Sequence, residues 1–269
     1  MAKPPEAEPA LPEPTLARTV DAFHRGAFRL VQPKGTGHRS GADALILAAA
    51  VPSGFAGKLA DFGAGAGAAG LAVAARCPGA SVTLVENAPE MARFAAMTLD
   101  HPDNAALRGR VSLLAADVTL TGRAREAAGL SDASFDYVIM NPPFNSGRDR
   151  RTPDTLKQQA HVMQDGLFEA WTRSAAAVMR PRGGLAIIAR PVSLGPILDA
   201  LADRFGSAEI VPVHARAASP AIRIVIRARY GSRGALSLMP ALVLHDESGD
   251  GFSERAGAIN DGRASLFGD

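Results

Sequence analysis

Lys58-Leu59-Ala60-Asp61-Phe62-Gly63-Ala64-Gly65-Ala66-Gly67-Ala68-Ala69-Gly70 opens on a short apolar run. The run ends in a carboxylate, breaks into alternating glycines and continues as an alanine-rich segment. That order reads as strand, tight turn and helix. Glycine at every second position lets the chain reverse and lets its backbone approach a ligand that a Cβ would exclude. The strand is expected over Lys58 to Phe62 and the helix over Ala68 to Arg76.

Outward from this unit the pattern repeats. Further strands are expected over Val82 to Val85, Val111 to Ala115, Phe135 to Met140, Leu185 to Ala189, Ala208 to Val213 and Ile222 to Arg229. Helices are expected between them over Pro89 to Leu99, Thr121 to Ala128, Leu167 to Met179 and Pro196 to Arg204. Strands that alternate with helices define a parallel sheet covered on both faces. Only Ala215 to Ala221 separates the last two strands, too little for a helical crossover, so these two pair antiparallel. The fold class is therefore α/β, a doubly wound, mostly parallel, seven-stranded Rossmann-like sheet with its last strand antiparallel. Ligands in such sheets bind beyond the carboxyl ends of the strands, where the strand order reverses.

The 269 residues are 47% hydrophobic and 21% charged, values of a globular chain with a sizeable core and not of a disordered or fibrous one. A single cysteine, Cys77, excludes a disulfide framework and a cysteine-rich zinc site, and it fits a reducing, cytoplasmic setting. The six histidines show no metal-ligand spacing, and no metal is expected. The opening MAKPPEAEPALPEP lacks the basic-then-apolar order of a signal peptide and is too rich in proline and glutamate to form a core. The longest apolar stretches are broken by Asp43, Asp61 and glycines, so no membrane span and a soluble protein are expected. The formal charge of +2 is unevenly spread: residues 1–143 carry −1, residues 144–230 carry +6 and residues 231–269 carry −3. A basic middle is either ordinary solvated arginine or an electrostatic footprint for a polyanion such as nucleic acid.

Gly65, Gly67 and Gly70 also spell G-x-G-x-x-G, and Glu86 follows Gly65 by 21 residues, as a dinucleotide-binding site would have it. Asp61 separates the readings. A carboxylate at that strand end would oppose a pyrophosphate at a place meant to attract negative charge. It suits S-adenosyl-L-methionine, which carries a sulfonium and an ammonium and no phosphate. Gly63, Gly65 and Gly67 would then let the cofactor approach. Glu86, ending the second strand, could accept from both ribose hydroxyls, and Asp117, after the third, could accept from the adenine amino group. As a residue placed before a helix, Asp117 also reads as an ordinary N-cap.

The strand Phe135 to Met140 runs into Asn141-Pro142-Pro143-Phe144. The prolines stop the strand and fix the backbone, but they explain neither the asparagine before them nor the aromatic after them. Methylation of a planar amine needs such a loop, because the lone pair of that nitrogen is delocalised. The Asn141 side-chain oxygen and the Pro142 carbonyl can both accept from an NH₂ group and hold it in line for attack. Phe144 can stack on the planar target, as in enzymes that act on extruded bases, and favour a sulfonium by a cation–π contact of roughly 0.5 to 2 kcal/mol. Orientation then supplies most of the acceleration.

Asp61-x-Gly63-x-Gly65-x-Gly67 together with Asn141-Pro142-Pro143-Phe144 resembles the class I S-adenosylmethionine-dependent amino methyltransferases. Gly26-Ala-Phe-Arg-Leu-Val-Gln-Pro and Ser40-Gly41-Ala42-Asp43-Ala44-Leu45-Ile46-Leu47 are similar to the opening hairpin and helix-leading segment of the bacterial tRNA1(Val) adenine N6-methyltransferase family. Arg151-Thr152-Pro153, Ala160-His161, Pro220-Ala-Ile-Arg223 and Phe252-Ser253-Glu254 look like later parts of it. Ala42 stands where that family usually has threonine. The resemblance spans about residues 22–266. It implies methyl transfer to N6 of an adenine in RNA, in particular tRNA next to the anticodon. It also implies a cofactor contact by Asp43, although Asp43 could equally only cap the helix that follows. The division it suggests is a disordered tail over 1–18, a hairpin and helix cap over 19–57 and a methyltransferase domain over 58–269.

Roughly twenty residues separate Phe144 from the next expected helix, a length typical of functional loops. They hold Arg148, Arg150, Arg151 and Lys157, expected to meet phosphates of the acceptor, with Arg223 joining from the late strand. Trp171 reads as core and Cys77 as a helix-end residue. The oligomeric state stays open. Protein glutamine N5-methylation shares Asn-Pro-Pro-aromatic, but those enzymes carry a sizeable helical domain before the glycine motif, and here only 57 residues precede the first strand. Guanine N2-methylation of ribosomal RNA, small-molecule O-methylation, an NAD-dependent oxidoreductase and a non-catalytic nucleic-acid binding module complete the alternatives.

Overall fold

The computed structural model describes residues 17–34, 41–143, 154–246, 249 and 251–269, the side chains of 154–165 excepted. In chain order the elements are β1 (Arg18–Phe23), β2 (Phe28–Pro33), α1 (Ala42–Ala49), β3 (Gly57–Phe62), α2 (Ala68–Arg76), β4 (Ala80–Glu86), α3 (Pro89–Asp100), β5 (Val111–Ala115), α4 (Gly122–Ala127) and β6 (Phe135–Met140). They continue with α5 (Asp154–Val178), β7 (Met179–Ala189), α6 (Leu194–Leu201), β8 (Phe205–His214), β9 (Ala221–Tyr230), β10 (Ser237–Leu238), β11 (Leu242–Val243) and α7 (Glu254–Asn260).

The main sheet is ordered β5-β4-β3-β6-β7-β9-β8-β10, with β11 also on β8. Strands β3 to β7 pair in parallel, and β9 runs antiparallel between β7 and β8. This is the doubly wound α/β class expected, enlarged from seven strands to nine. The two additional strands are two residues each, too short to show a period of two, and both lie parallel to β8 at its outer edge. The helix expected from Leu167 begins earlier, at Asp154, so Lys157 lies on a helix and not on the loop. Arg18, placed in the tail by sequence, pairs with Pro33 and starts β1.

The central strands are buried on both faces, which is why they read as apolar runs and not as alternating ones. On one face Leu59, Leu84, Tyr137, Ile139, Ile188 and Val225 pack under α1, α2 and α3. On the other, Ala60, Phe62, Val138, Met140, Ile187, Ile224 and Ile226 pack against α5 and α6. The β1–β2 hairpin is tied to α3 and the turn after it by buried polar groups. The Val31 N–H donates to Thr98 Oγ1 (3.0 Å), and Asn104 bonds the backbone of Arg29 through both its carbonyl and its amide (2.8 Å each). Order reverses at β3, whose neighbours are β4 on one side and β6 on the other. Both sequence motifs leave the sheet at that point.

Candidate active site

Three residues of the turn after β3 have left-handed backbones: Gly63 (φ 67°), Gly65 (φ 58°) and Gly67 (φ 95°). Any other residue would be strained there. The turn is pinned to the next strand by Gly63 and Ala64, whose N–H groups both donate to the Val85 carbonyl (2.9 and 3.1 Å). Beneath Gly63 lies the Trp171 ring of α5, so close that a Cβ would stand 2.6 Å from Cη2. Trp171 is core, as its sequence position suggests, and it also forms the floor of this turn. Met91 approaches Gly65 from α3. Neither contact carries a sequence signal, since both join residues from different βα units.

Asp61 is 2% exposed, and its Oδ2 accepts from the Gly70 N–H at the start of α2 (2.8 Å). Gly70 permits that bond, because α2 sits so near β4 that a Cβ would stand 2.4 Å from Leu84. The Asp61 carboxyl is pushed up to about 7, chiefly by burial, with the Gly70 hydrogen bond acting downward and the nearby Glu86 charge upward. Glu86, also buried, accepts from the Gly65 N–H through Oε2 and from the Ala88 N–H through Oε1, both at 2.8 Å. The N–H groups of Gly65 in the turn, of Gly70 early in α2 and of Ala88 before α3, of the kind that could cradle a phosphate, are thus bonded to the protein's own carboxylates. The donor set fits a cationic, phosphate-free cofactor and opposes a pyrophosphate.

Asp117 follows β5 and is half-buried. Its Oδ1 accepts from the N–H and the hydroxyl of Thr119 (2.8 and 2.7 Å). It therefore shapes a turn and is not the helix cap that its position suggests, since α4 starts after Thr121. Asn141 leaves β6 beside Gly63, because Met140 pairs with Phe62. Its Oδ1 is buried and has no hydrogen-bond partner among the described residues. A buried amide oxygen left unpaired costs free energy, so this atom is an acceptor waiting for a donor. Pro142 beside it is buried.

Asp43 and Arg223, singled out separately by sequence, meet: Arg223 Nε donates to Asp43 Oδ2 at 2.8 Å. Asp43 lies in the first turn of α1 and is not its cap, a place held by Gly41. Phe144, Arg148, Arg150 and Arg151 lie outside the described residues, as does the side chain of Lys157. Several arginines of 144–230 are paired within the fold, and Asp136, Asp43 and Asp269 from outside that stretch offset three of its six net charges. Arg180 pairs with Asp136, Arg204 with Glu169, Arg223 with Asp43, and Arg227 with both Glu209 and Asp269. Among the described residues no three His, Cys, Asp or Glu side chains gather as a metal group, and no helix is long and apolar enough to cross a membrane.

The sheet order, the glycine turn and the occupied N–H groups define a class I, S-adenosylmethionine-dependent methyltransferase. Residues 39–216 match the methyltransferase small domain, and the chain belongs to that family. A predicted O-methyltransferase of Agrobacterium tumefaciens is 42% identical, with a TM-score of 0.73 over 83% of this chain and 98% of that one. A Thermus thermophilus 16S rRNA methyltransferase solved with AdoMet and guanosine shares the fold at 23% identity (TM-score 0.53, 82% of this chain, 53% of that one). So does M. jannaschii TYW2 in complex with AdoMet, at 11% identity (TM-score 0.52, 80% and 87%). No curated protein matches the chain in sequence.

Proposed function

We propose that this methyltransferase acts on the exocyclic N6 amine of adenine in RNA, in particular tRNA near the anticodon. The observation that carries the reading is the buried Asn141 Oδ1, without a partner among the described residues, at the head of Asn-Pro-Pro-Phe and next to the glycine turn. An amide oxygen takes no proton, so it cannot serve as the base that an alcohol acceptor requires. It can hold an NH₂ group, with the Pro142 carbonyl taking the second hydrogen. Held by both, the amine has its lone pair directed at the cofactor side, and orientation does the work that a strong nucleophile would otherwise do.

The bound cofactor supplies a methyl group activated by a positively charged sulfur. Gly63, Gly65 and Gly67 give it backbone access, and Asp61 and Glu86 supply the negative field that favours its charge. Asp117 closes the adenine end, and Asp43 borders the opposite side. Phe144 is the stacking partner for the target base, and Arg148, Arg150, Arg151, Lys157 and Arg223 are the phosphate contacts. A hydroxyl acceptor is the second reading, favoured by the 42% identical Agrobacterium protein described as a predicted O-methyltransferase.

The test is incubation with radiolabelled S-adenosylmethionine and unmodified total tRNA, followed by digestion and chromatography of the nucleosides. Label is expected in N6-methyladenosine. Label in a methylated guanosine would move the target to another amine. No label in RNA, with cofactor binding intact, would overturn the reading in favour of a protein glutamine or small-molecule acceptor.

A further inference from the structure

Asp43 and Arg223 are 180 residues apart, and their contact lies at one defined place in the fold. Helix α1 packs along β6 and β7. At its C-terminal end the Tyr137 hydroxyl donates to the Ala50 carbonyl (3.3 Å). Eight helical residues rise about 12 Å, and the strand from Tyr137 to Asn141 about 13 Å, so the first turn of α1 stands level with Asn141. Tyr137 and Ile139 face the core under α1, as does Val225 on β9. Strand alternation therefore puts Asn141 and Arg223 on that same face. Arg223 is further fixed by its own Nη1, which donates to the Ile222 carbonyl (2.8 Å).

In the sheet, β9 is the third strand from β3 on the side away from β4, about 14 Å from the glycine turn. The cofactor half of the site is built by β3, β4 and β5. The Asp43–Arg223 pair belongs to the half built by β6, β7 and β9, with Asn141 between the two. The side chains of the pair are 30% and 27% exposed, so its strength is modest and salt-sensitive.

We infer that Asp43 and Arg223 form a brace that holds the first turn of α1 over the acceptor side of the site, so that both are positioning residues for the acceptor. This rests on the reading of Asn141 as the acceptor's partner. It moves Asp43 from contact with the cofactor, and Arg223 from contact with a phosphate, to support of the wall that the acceptor meets.

The test uses Asp43→Asn, Arg223→Gln and the charge exchange D43R/R223D in the full chain, with three measurements. Calorimetry with S-adenosylmethionine is expected to give a Kd within about twofold of wild type for all variants. Hydrogen exchange of the Ala44 and Leu45 amides is expected to quicken about fivefold in each single variant, the size of a partly exposed ion pair, and to return toward wild type in the exchange variant. Methyl transfer to unmodified tRNA is expected to show the acceptor KM raised about fivefold in the single variants, with kcat little changed and KM partly restored by the exchange. A weaker cofactor in Asp43→Asn but not in Arg223→Gln would overturn the inference and return Asp43 to the cofactor. Unchanged exchange at Ala44 and Leu45 would also overturn it. If wild type transfers no methyl to tRNA, the RNA reading fails by itself, and the calorimetric and exchange measurements still decide the brace.

Discussion

Replacing Asp61 by asparagine keeps the shape of the side chain and an oxygen for the Gly70 N–H, but removes the charge. In the fold that carboxyl titrates at about 7, against 3.8 for the ordinary group. Its folded pKa is raised, so between those values the folded state binds more protons than the unfolded one. Stability contributed by Asp61 is therefore present at low pH and lost as pH rises toward 7. At about 1.4 kcal/mol per pKa unit, the loss relative to a neutral side chain is about 1.5 kcal/mol near pH 5 and about 4 kcal/mol near pH 8. The stabilisation of Asp61→Asn over wild type should thus grow by about 2.5 kcal/mol between those pH values, measured by urea unfolding of the two proteins in parallel. Other titrating groups are common to both and cancel. A difference between the proteins that stays flat across that range would refute the reasoning. In the same variant, binding of S-adenosylmethionine near pH 8 should weaken, because the negative field at the turn falls.

Other substitutions test the remaining parts of the site. Gly63→Ala should destabilise by about 2 to 4 kcal/mol, read by thermal or urea unfolding, because it adds left-handed strain to a clash with the Trp171 ring 2.6 Å from the new Cβ. Unchanged stability would mean that the turn does not rest on Trp171. Asn141→Ala removes an unpaired buried acceptor, so the fold should be no less stable, while kcat for methyl transfer to tRNA falls by about a hundredfold or more; near wild-type transfer would sink the assigned role. His24, 8% exposed in the hairpin turn, is lowered to about 4, chiefly by burial and then by the Arg76 charge. Its folded pKa lies below the unfolded 6.5, so up to about 3 kcal/mol should be lost as pH falls from 6.5 to about 4. His24→Gln should flatten the pH dependence of urea unfolding over that interval, and an unchanged profile would show that His24 does not carry it.

The parts of this protein legible in the sequence are those in which one short segment carries its own reason. Gly63, Gly65 and Gly67 announce a turn because only glycine adopts such backbones without strain, and all three have positive φ. Asn141-Pro142 marks the end of β6 because proline cannot continue a ladder. What the sequence conceals is contact between distant segments. No pattern joins Asp43 to Arg223, or Trp171 to Gly63, since each partner looks ordinary alone: a first-turn acid, a strand arginine and a helix tryptophan. The basic excess over 144–230 is likewise reduced by contacts that no local pattern shows. Arg180, Arg223 and Arg227 meet Asp136, Asp43 and Asp269 from outside that stretch, which offsets three of its six net charges. Strands β10 and β11 escape because a two-residue strand has no periodicity to read.

Charge explains why the site divides where the strand order reverses. A helix start with open N–H groups attracts anions. Here Glu86 and Asp61 occupy such groups at Gly65 and Gly70, and the turn becomes a place for a cation. Holding Asp61 buried lowers stability at neutral pH, because burial raises its carboxyl by more than the Gly70 hydrogen bond lowers it. A destabilising charge retained at a ligand-facing turn is the pattern of a site shaped for binding over stability. On the other side of β3, Asn141 presents an acceptor with no partner among the described residues, and the Asp43–Arg223 pair stands beyond it. The two halves carry different chemistry, so their perturbations should separate: changes at Asp61 and Gly63 should move cofactor affinity, and changes at Asn141 should move turnover with cofactor affinity nearly constant. A variant on one side that shifted both equally would show that the switch point is one site and not two.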